Sequence, residues 1–298
     1  MSRIAYVNGR YLAHGLAGVH VEDRGFQFGD GVYEVCEVRD GRLIDERRHM
    51  QRLDRSLRAL DIARPIGTAA LGTVIREVIR RNRVHDGMVY LQVTRGVAPR
   101  NFAFPSPAVP ASLVVTAKST SRDVGNRRAE EGVSVITVPE NRWARVDIKT
   151  TGLLPNVLAK QKAKAAGAFE AWFVDRDGYV TEGASSNAWI VNGSGALVTR
   201  PAEEGILRGV TRTVLFALAE REGAAVEERP FSLSEAYAAR EAFITAATTL
   251  IMPVVRIDGR AVGSGRPGTF ALALRGLFHG MAEVAPQWST GHAPKSDK

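Results

Sequence analysis

Val146-Asp147-Ile148-Lys149-Thr150-Thr151 is a β-like stretch that carries a lysine at its end, with Gly152 and the apolar pair Leu153-Leu154 behind it. Lysine is scarce in this chain: seven of the 40 basic residues are Lys and the rest are Arg. A lysine held against apolar neighbours loses hydration, and desolvation favours the neutral amine that a carbonyl-attacking nucleophile must be. Read alone, the segment is also compatible with an ordinary strand-end lysine. Lys160, Lys162 and Lys164 lie in a short Ala/Lys stretch of helical character and read as solvated.

Two segments downstream extend the pattern. Tyr179-Val180-Thr181-Glu182-Gly183-Ala184-Ser185-Ser186-Asn187 sets a carboxylate at the end of a hairpin strand, followed by small hydroxyl residues. That suits an acid holding a heteroaromatic N–H. Gly205-Ile206-Leu207-Arg208-Gly209-Val210-Thr211-Arg212 leads into a helix expected over 211–222, and N–H groups with a Thr hydroxyl at a helix N-terminus form an anion site. Arg52, inside a helix expected over 46–60, is a second phosphate candidate. Separately these read as a polar loop, a Thr N-cap and a surface arginine. In this order, an amine nucleophile, an acid for a ring nitrogen and a phosphate site are the parts a pyridoxal phosphate enzyme needs.

Working outward, the N-terminal part alternates strands with helices. Residues 4–12 form a hairpin across Asn8-Gly9, a favoured two-residue turn. Residues 31–38 alternate around β-formers. Met50, Leu53, Leu57 and Leu60 recur at helical spacing, as do Leu71, Val74, Ile75, Val78 and Ile79 over 68–82. Residues 88–94 and 112–117 read as buried strands. The polar stretch 118–131 lacks a sustained apolar period and reads as an interdomain linker. A second sheet-rich unit follows, with strands or hairpins at 133–138, 171–181, 188–199, 242–246 and 254–262. Helices are expected there at 156–166, 211–222 and 269–283. The expected organisation is therefore a small α/β domain over 1–117, a linker over 118–131, a larger sheet-rich domain over 132–284 and a flexible tail over 285–298. The length of 298 residues agrees with two domains.

Composition removes several classes. Hydrophobic residues make up 45% and charged residues 24%, an ordinary globular balance. No apolar run approaches the ~18 residues of a membrane span, and no secretory signal is visible before the Asn8-Gly9 turn. Cys36 is the single cysteine, so no intrachain disulfide or CxxC site can form, and the cytoplasm is the natural compartment. The net charge of +8 suggests nucleic acid. The excess is diffuse, however, with 17 basic and 12 acidic residues in 1–100 and 11 of each in 201–298, and no recognition motif accompanies it. Gly263-Ser264-Gly265-Arg266-Pro267-Gly268 matches GxGxxG but follows a hairpin strand instead of opening a βαβ unit. The six histidines lack metal-ligand spacing, so no metal is expected.

The chain resembles the class IV (fold type IV) pyridoxal phosphate aminotransferases, and within them the D-amino-acid aminotransferases, over about residues 4–283. The resemblance is carried by residues 22–34, by His49-Met50-Gln51-Arg52-Leu53, by Gln92-Val93-Thr94-Arg95-Gly96 with Pro99-Arg100, by Asp147-Ile148-Lys149, by Val180-Thr181-Glu182-Gly183 with Ser185-Ser186-Asn187, and by Leu207–Arg212. It implies an α+β fold of two domains and transfer of an amino group between a D-amino acid such as D-alanine and a 2-oxo acid (2-oxoglutarate or pyruvate). An L-branched-chain aminotransferase and an aminodeoxychorismate lyase are the alternatives.

The resemblance also implies roles. Lys149 is the Schiff-base lysine and moves the α-proton. Glu182 pairs with the pyridine nitrogen. Arg52, Gly209, Val210 and Thr211 hold the phosphate, Leu207 packs on the ring, and Ser185, Ser186 and Asn187 line the site. Tyr33 enters the substrate pocket, with Glu34 and His49 in a supporting hydrogen-bond chain. Arg100 matches the arginine that takes the substrate carboxylate from a partner subunit's loop in a homodimer. Two departures stand out. D-specific members read Arg-x-His in that loop, and this chain has Arg100-Asn101-Phe102. Ala246-Ala247 occupies a position where a phosphate-contacting hydroxyl is common, with Thr248 as a substitute.

Overall fold

Asn8 and Gly9 both take positive φ, 44° and 92°, as the expected hairpin turn demands. The computed structural model describes residues 3–202 and 205–286. The hairpin joins β1 (Ile4–Val7) to β2 (Arg10–Ala13) at the edge of a six-stranded sheet. That sheet is completed by β3 (Gly31–Arg39), β4 (Arg42–Leu43), β5 (Gly87–Thr94) and β6 (Ser112–Ser119), in the order β2-β1-β6-β5-β3-β4. A short helix, α1 (Arg24–Phe28), precedes β3, and α2 (Glu46–Ala59) and α3 (Thr68–Asn82) pack on the sheet. Their apolar stripes meet it in one core: Leu53 and Leu57 from α2, Ile75 and Val78 from α3, and Val32, Val89, Leu91 and Val115 from the strands.

The stretch 118–131, expected as a linker, contains the end of β6 and a helix, α4 (Arg122–Glu131). Ser121 caps that helix by accepting from the Val124 N–H, and Ala129 is buried. A helix held by a cap and one buried residue leaves little apolar period to read.

The second sheet has ten strands: β7 (Val133–Pro139), β8 (Glu170–Val174), β9 (Tyr179–Gly183), β10 (Asn187–Val191), β11 (Leu197–Thr199), β12 (Val226–Glu228), β13 (Phe231–Ser232), β14 (Glu241–Ala246), β15 (Leu250–Ile257) and β16 (Arg260–Ala261). Nine run in the order β12-β11-β10-β14-β15-β7-β8-β9-β13, and β16 pairs with β15. Helices α5 (Leu154–Ala165), α6 (Val210–Arg221), α7 (Leu233–Ala238) and α8 (Thr269–Met281) accompany it. Trp172, Phe231 and Ile244 fill one core of this sheet, and Trp189, Leu215, Phe243 and Phe278 another. Among the described residues no helix is long and apolar enough to cross a membrane. Of the expected tail, 287–298 lies outside the described residues, whereas the Ala285 N–H donates to the Leu43 carbonyl at 2.9 Å.

Candidate active site

The alternation of β3 sorts its side chains. Glu34 turns toward α2, while Tyr33 and Val35 line a cavity of about 400 Å³ that both sheets help to enclose. β4 pairs only with Val38 and Arg39, so the start of β3 keeps a free edge. Residues 149–151 fill it: the Tyr33 N–H donates to the Lys149 carbonyl and the Thr151 N–H to the Gly31 carbonyl, both at 3.0 Å. Ile148 anchors this segment in the core of the first sheet. The outcome is that Lys149 Nζ donates to the Tyr33 hydroxyl oxygen at 3.2 Å and lies 4.3 Å from the Tyr33 ring centroid.

α2 supplies the next wall. His49, Arg52 and Ser56 form a buried polar stripe beside the apolar stripe of Met50, Leu53 and Leu57. Arg52 donates Nε and Nη2 to the two oxygens of Glu34, each at 2.7 Å, and Nη1 to the Arg208 carbonyl at 3.2 Å. His49 Nδ1 lies 2.8 Å from Glu34 Oε2. Burial alone would raise the Glu34 carboxyl, but the Arg52 charge and the hydrogen bonds from Arg52 and His49 hold it down at about 2.

From the other sheet, β9 presents Glu182, which is 4% exposed. Its carboxylate takes Arg142 Nη1 at 2.5 Å, Asn187 Nδ2 at 2.9 Å and the Leu207 N–H at 3.1 Å. Burial pushes its pKa up, and Arg142, the Leu207 N–H and Lys149 pull against that. Asn187 also donates to the Leu207 carbonyl at 2.9 Å, fixing the irregular segment that leads to α6. Gly209 is the N-cap of α6 and offers no capping side chain, so the first-turn N–H groups are available to an anion. Gly209, Val210 and Thr211 line the cavity together with Arg52, Ser185, Ser186, Leu207 and the turn 245–248. Gly209 must be glycine for closeness: a Cβ there would come within 2.1 Å of Asn187 Oδ1.

Lys149, Tyr33, His49, Arg52, Glu182, Ser185, Ser186, Asn187, Leu207, Gly209, Val210 and Thr211 thus converge on one cavity. Glu34 stands behind it. Thr248 reaches the cavity wall beside Ala246 and Ala247. Arg100 and Phe102 do not reach it. Both are exposed in the loop between β5 and β6, with Arg100 4.7 Å over the Phe28 ring and Phe102 85% exposed. Arg24 holds this loop, donating to the Asn101 carbonyl at 2.6 Å and, through Nε, to Asp30 at 2.8 Å.

Three residues escape a reading of the sequence. Arg142 ties Glu182 to Glu140, with 2.6 Å from its Nη2 to Glu140 Oε2, yet lies 40 residues from Glu182 in an irregular segment with no signature. Glu170, 1% exposed, accepts from the hydroxyls of Ser185 at 2.7 Å and Ser186 at 3.1 Å and so shapes the turn between Glu182 and Asn187. Lys160, expected as solvated, keeps a 38% exposed side chain but also has partners: its Nζ lies 3.2 Å from Glu170 Oε1 and donates to the Phe169 carbonyl at 2.7 Å. A buried carboxylate draws the nearest cation toward it, and helical spacing does not reveal that.

These parts form a site for amino-group chemistry, and comparison with known proteins agrees. The family described as amino-transferase class IV matches residues 31–257. A D-alanine aminotransferase of Bacillus licheniformis is 41% identical over 261 residues, covering 88% of this chain and 90% of that protein. One from Staphylococcus haemolyticus is 38% identical, covering 92% and 96%. The solved structure of an Escherichia coli branched-chain amino acid aminotransferase superposes with a TM-score of 0.87 at 26% identity, over 94% of this chain and 95% of that one. The chain belongs to the class IV aminotransferases. It is a transaminase with the α+β architecture of that family.

Proposed function

We propose that the protein uses pyridoxal 5'-phosphate to exchange the amino group of a D-amino acid, such as D-alanine, with the oxo group of 2-oxoglutarate or pyruvate. The observation that carries this is the meeting of the Lys149 amine, the buried Glu182 carboxylate and the uncapped start of α6 beside Arg52 in one cavity. The donor set fits the cofactor. Arg52 and the N–H groups of Gly209, Val210 and Thr211 suit a phosphate dianion, and Glu182 suits a protonated ring nitrogen. Bound, pyridoxal phosphate supplies an aldehyde that condenses with amines and a ring that takes up electrons from a breaking Cα–H bond.

Lys149 holds the cofactor covalently and carries the α-proton at Nζ, steadied by the Tyr33 hydroxyl. Glu182 keeps a negative charge at the ring nitrogen, and Arg142 and Asn187 fix its orientation. Leu207 packs on the ring, while Ser185, Ser186 and Asn187 line the wall behind it. Tyr33 borders the substrate.

Arg100 binds the substrate carboxylate of a neighbouring copy in a homodimer. Its exposed position away from the cavity of its own chain supports this, as does the aromatic pair beside it, Phe28 under its guanidinium and Phe102, 85% exposed, 5.5 Å from the Phe28 ring. The two-domain division at 118–131 and a cytoplasmic setting belong to the same reading. The lone Cys36 is buried, as suits a chain that forms no disulfide.

Phe102, where D-specific relatives carry His, favours a second reading as an L-branched-chain aminotransferase. A panel of D- and L-amino acids against 2-oxoglutarate and pyruvate, with product chirality determined, separates the two. Faster turnover of L-leucine or L-valine than of every D-amino acid selects the second. Borohydride reduction followed by peptide mass spectrometry is expected to place the pyridoxyl group on Lys149, and label on Lys118 or Lys160 would remove Lys149 from its role.

A further inference from the structure

Residues 99–104, in the loop between β5 and β6, are all exposed, and Arg100 is one of them. Among the described residues no backbone-to-backbone hydrogen bond ties 99–110 to the rest of the chain. An arginine carried on such a segment is poorly aimed unless something else holds the backbone. One buried side chain does so. Arg24, with 4% of its side chain exposed, donates Nη1 to the carbonyls of Asn101 and Ala103 at 2.6 and 3.3 Å, and Nη2 to that of Phe102 at 3.4 Å. One guanidinium thus holds the three carbonyls that follow Arg100. Its planar fork has the donors to span them.

Arg24 is itself fixed. Its Nε donates to Asp30 Oδ2 at 2.8 Å, and the same carboxylate takes Nε and Nη2 of Arg95 at 2.8 and 3.1 Å. Arg95 binds the Leu60 and Asp61 carbonyls and lies 3.5 Å over the Phe104 ring, farther along the loop. The short helix α1, which carries Arg24 and Phe28, is locked onto the end of β5. Asp23 caps it and accepts from the Thr94 hydroxyl at 2.9 Å, and a Cβ on Gly25 would come within 2.2 Å of Thr94 Cγ2. The guanidinium carbons of Arg24 and Arg100 lie 4.8 and 4.7 Å from the Phe28 ring centroid.

We propose that Arg24, aimed by Asp30, is a positioning residue for Arg100: by gripping the carbonyls of Asn101, Phe102 and Ala103 it fixes where the loop presents Arg100 to the substrate carboxylate of the neighbouring copy. This rests on the reading of Arg100 given above. It follows that Arg24 acts on the partner's active site and not on its own. The competing route is local. α1 is followed by Gly29, whose carbonyl accepts from the Thr151 hydroxyl at 3.0 Å in the Lys149 segment of the same chain. A defect passed that way stays with the chain that carries it.

The test uses mixed dimers of the cofactor-loaded enzyme, isolated through two different tags. The Arg24→Gln homodimer should show a KM for D-alanine raised by about tenfold or more, as when a hydrogen bond to a charged group is weakened, with kcat little changed. Pairing an Arg24→Gln chain with a Lys149→Ala chain leaves one site with a lysine. That site belongs to the Arg24→Gln chain and receives its loop from a chain whose Arg24 is intact, so it should regain the parent's KM. A mixed dimer of Arg100→Ala with Lys149→Ala should recover in the same way. Arg24→Lys keeps a cation beside Asp30 but cannot span three carbonyls, so it carries the test should Arg24→Gln fold poorly. The proposal is overturned if both Arg24 variants keep the parent's KM. It is also overturned if the KM stays raised in the Arg24 mixed dimer while the Arg100 mixed dimer recovers. If neither recovers, the reading of Arg100 as the partner's ligand falls and this inference falls with it, so the two failures are told apart.

Discussion

Glu34 and Arg52 meet through two parallel hydrogen bonds of 2.7 Å, the carboxylate fully buried and the guanidinium 6% exposed. The pair joins a strand of the first sheet to a helix, and the remaining arm of Arg52 reaches the Arg208 carbonyl next to α6. Glu34 therefore aims the guanidinium at the cavity and balances its charge.

Glu34→Gln should undo both effects. It leaves Arg52 buried without a counter-charge, a loss of about 3–5 kcal/mol. Urea denaturation should show that loss, and equilibrium dialysis should show weaker retention of pyridoxal phosphate. Arg52→Ala should share the retention defect. Normal retention in Glu34→Gln would mean that the pair serves folding alone.

The same carboxylate sets an acid limit. Its pKa is lowered from 4.5 to about 2. The unfolded chain takes up a proton there near 4.5, whereas the folded chain resists until about 2. The stabilisation is complete above 4.5 and is lost as pH falls through this window, by about 3 kcal/mol in all. Acid unfolding of Glu34→Gln should be less steep than that of the parent between these pH values.

Glu182→Gln should keep the cofactor and slow removal of the α-proton. A neutral amide cannot offset a ring charge, and an unpaired charge in a partly buried site is worth ~2–4 kcal/mol, or roughly 30- to 1000-fold in rate. Stopped-flow measurement of the half-reaction with D-alanine reads this step directly. Lys149→Ala should abolish steady-state transamination and leave the fold intact. An unslowed half-reaction in Glu182→Gln would remove the carboxylate from the chemistry.

Gly209→Ala tests the close approach at α6. A Gly-to-Ala change at an unstrained φ, here −66°, ordinarily stabilises by about 0.4–1 kcal/mol. Here the new Cβ meets Asn187 Oδ1 at 2.1 Å and must push the amide away from Glu182 and the Leu207 carbonyl. The expected result is weaker cofactor retention with no gain in melting temperature.

Arg100→Ala should cost D-substrates more than any L-substrate. A bidentate arginine–carboxylate contact biases which way the substrate lies. Phe102→His should lower the KM for D-alanine, because a hydrogen bond to a charged group contributes about 1.5–3 kcal/mol. Steady-state kinetics on both enantiomers decide the matter, and an unchanged KM in Phe102→His would show that this position does not face the substrate.

The chain's local code specified much of this protein. Helix α3 lies at Thr68–Asn82, as the recurrence of Leu71, Val74, Ile75, Val78 and Ile79 requires, and the Asn8-Gly9 turn and the strand alternation of β3 are equally local. Glu182 and the Gly209–Thr211 helix start were legible because they sit in a hairpin strand and at a helix N-terminus, whereas the β-like stretch read around Lys149 is a turn at 146–147 that meets the first sheet through the isolated Val32–Thr150 bridge. What the tertiary structure alone decided are the partnerships across distance. Arg142 reaches Glu182 across 40 residues, Arg52 reaches the Arg208 carbonyl across 156, and Lys160, still partly in solvent, pairs with the buried Glu170. Arg100 is held away from the cavity of its own chain by the path of its loop, and α4 forms where polarity suggested a linker. Periodicity records which face of an element meets a core. It carries no record of which polar side chain on another element will supply the charge or donor that a buried group requires.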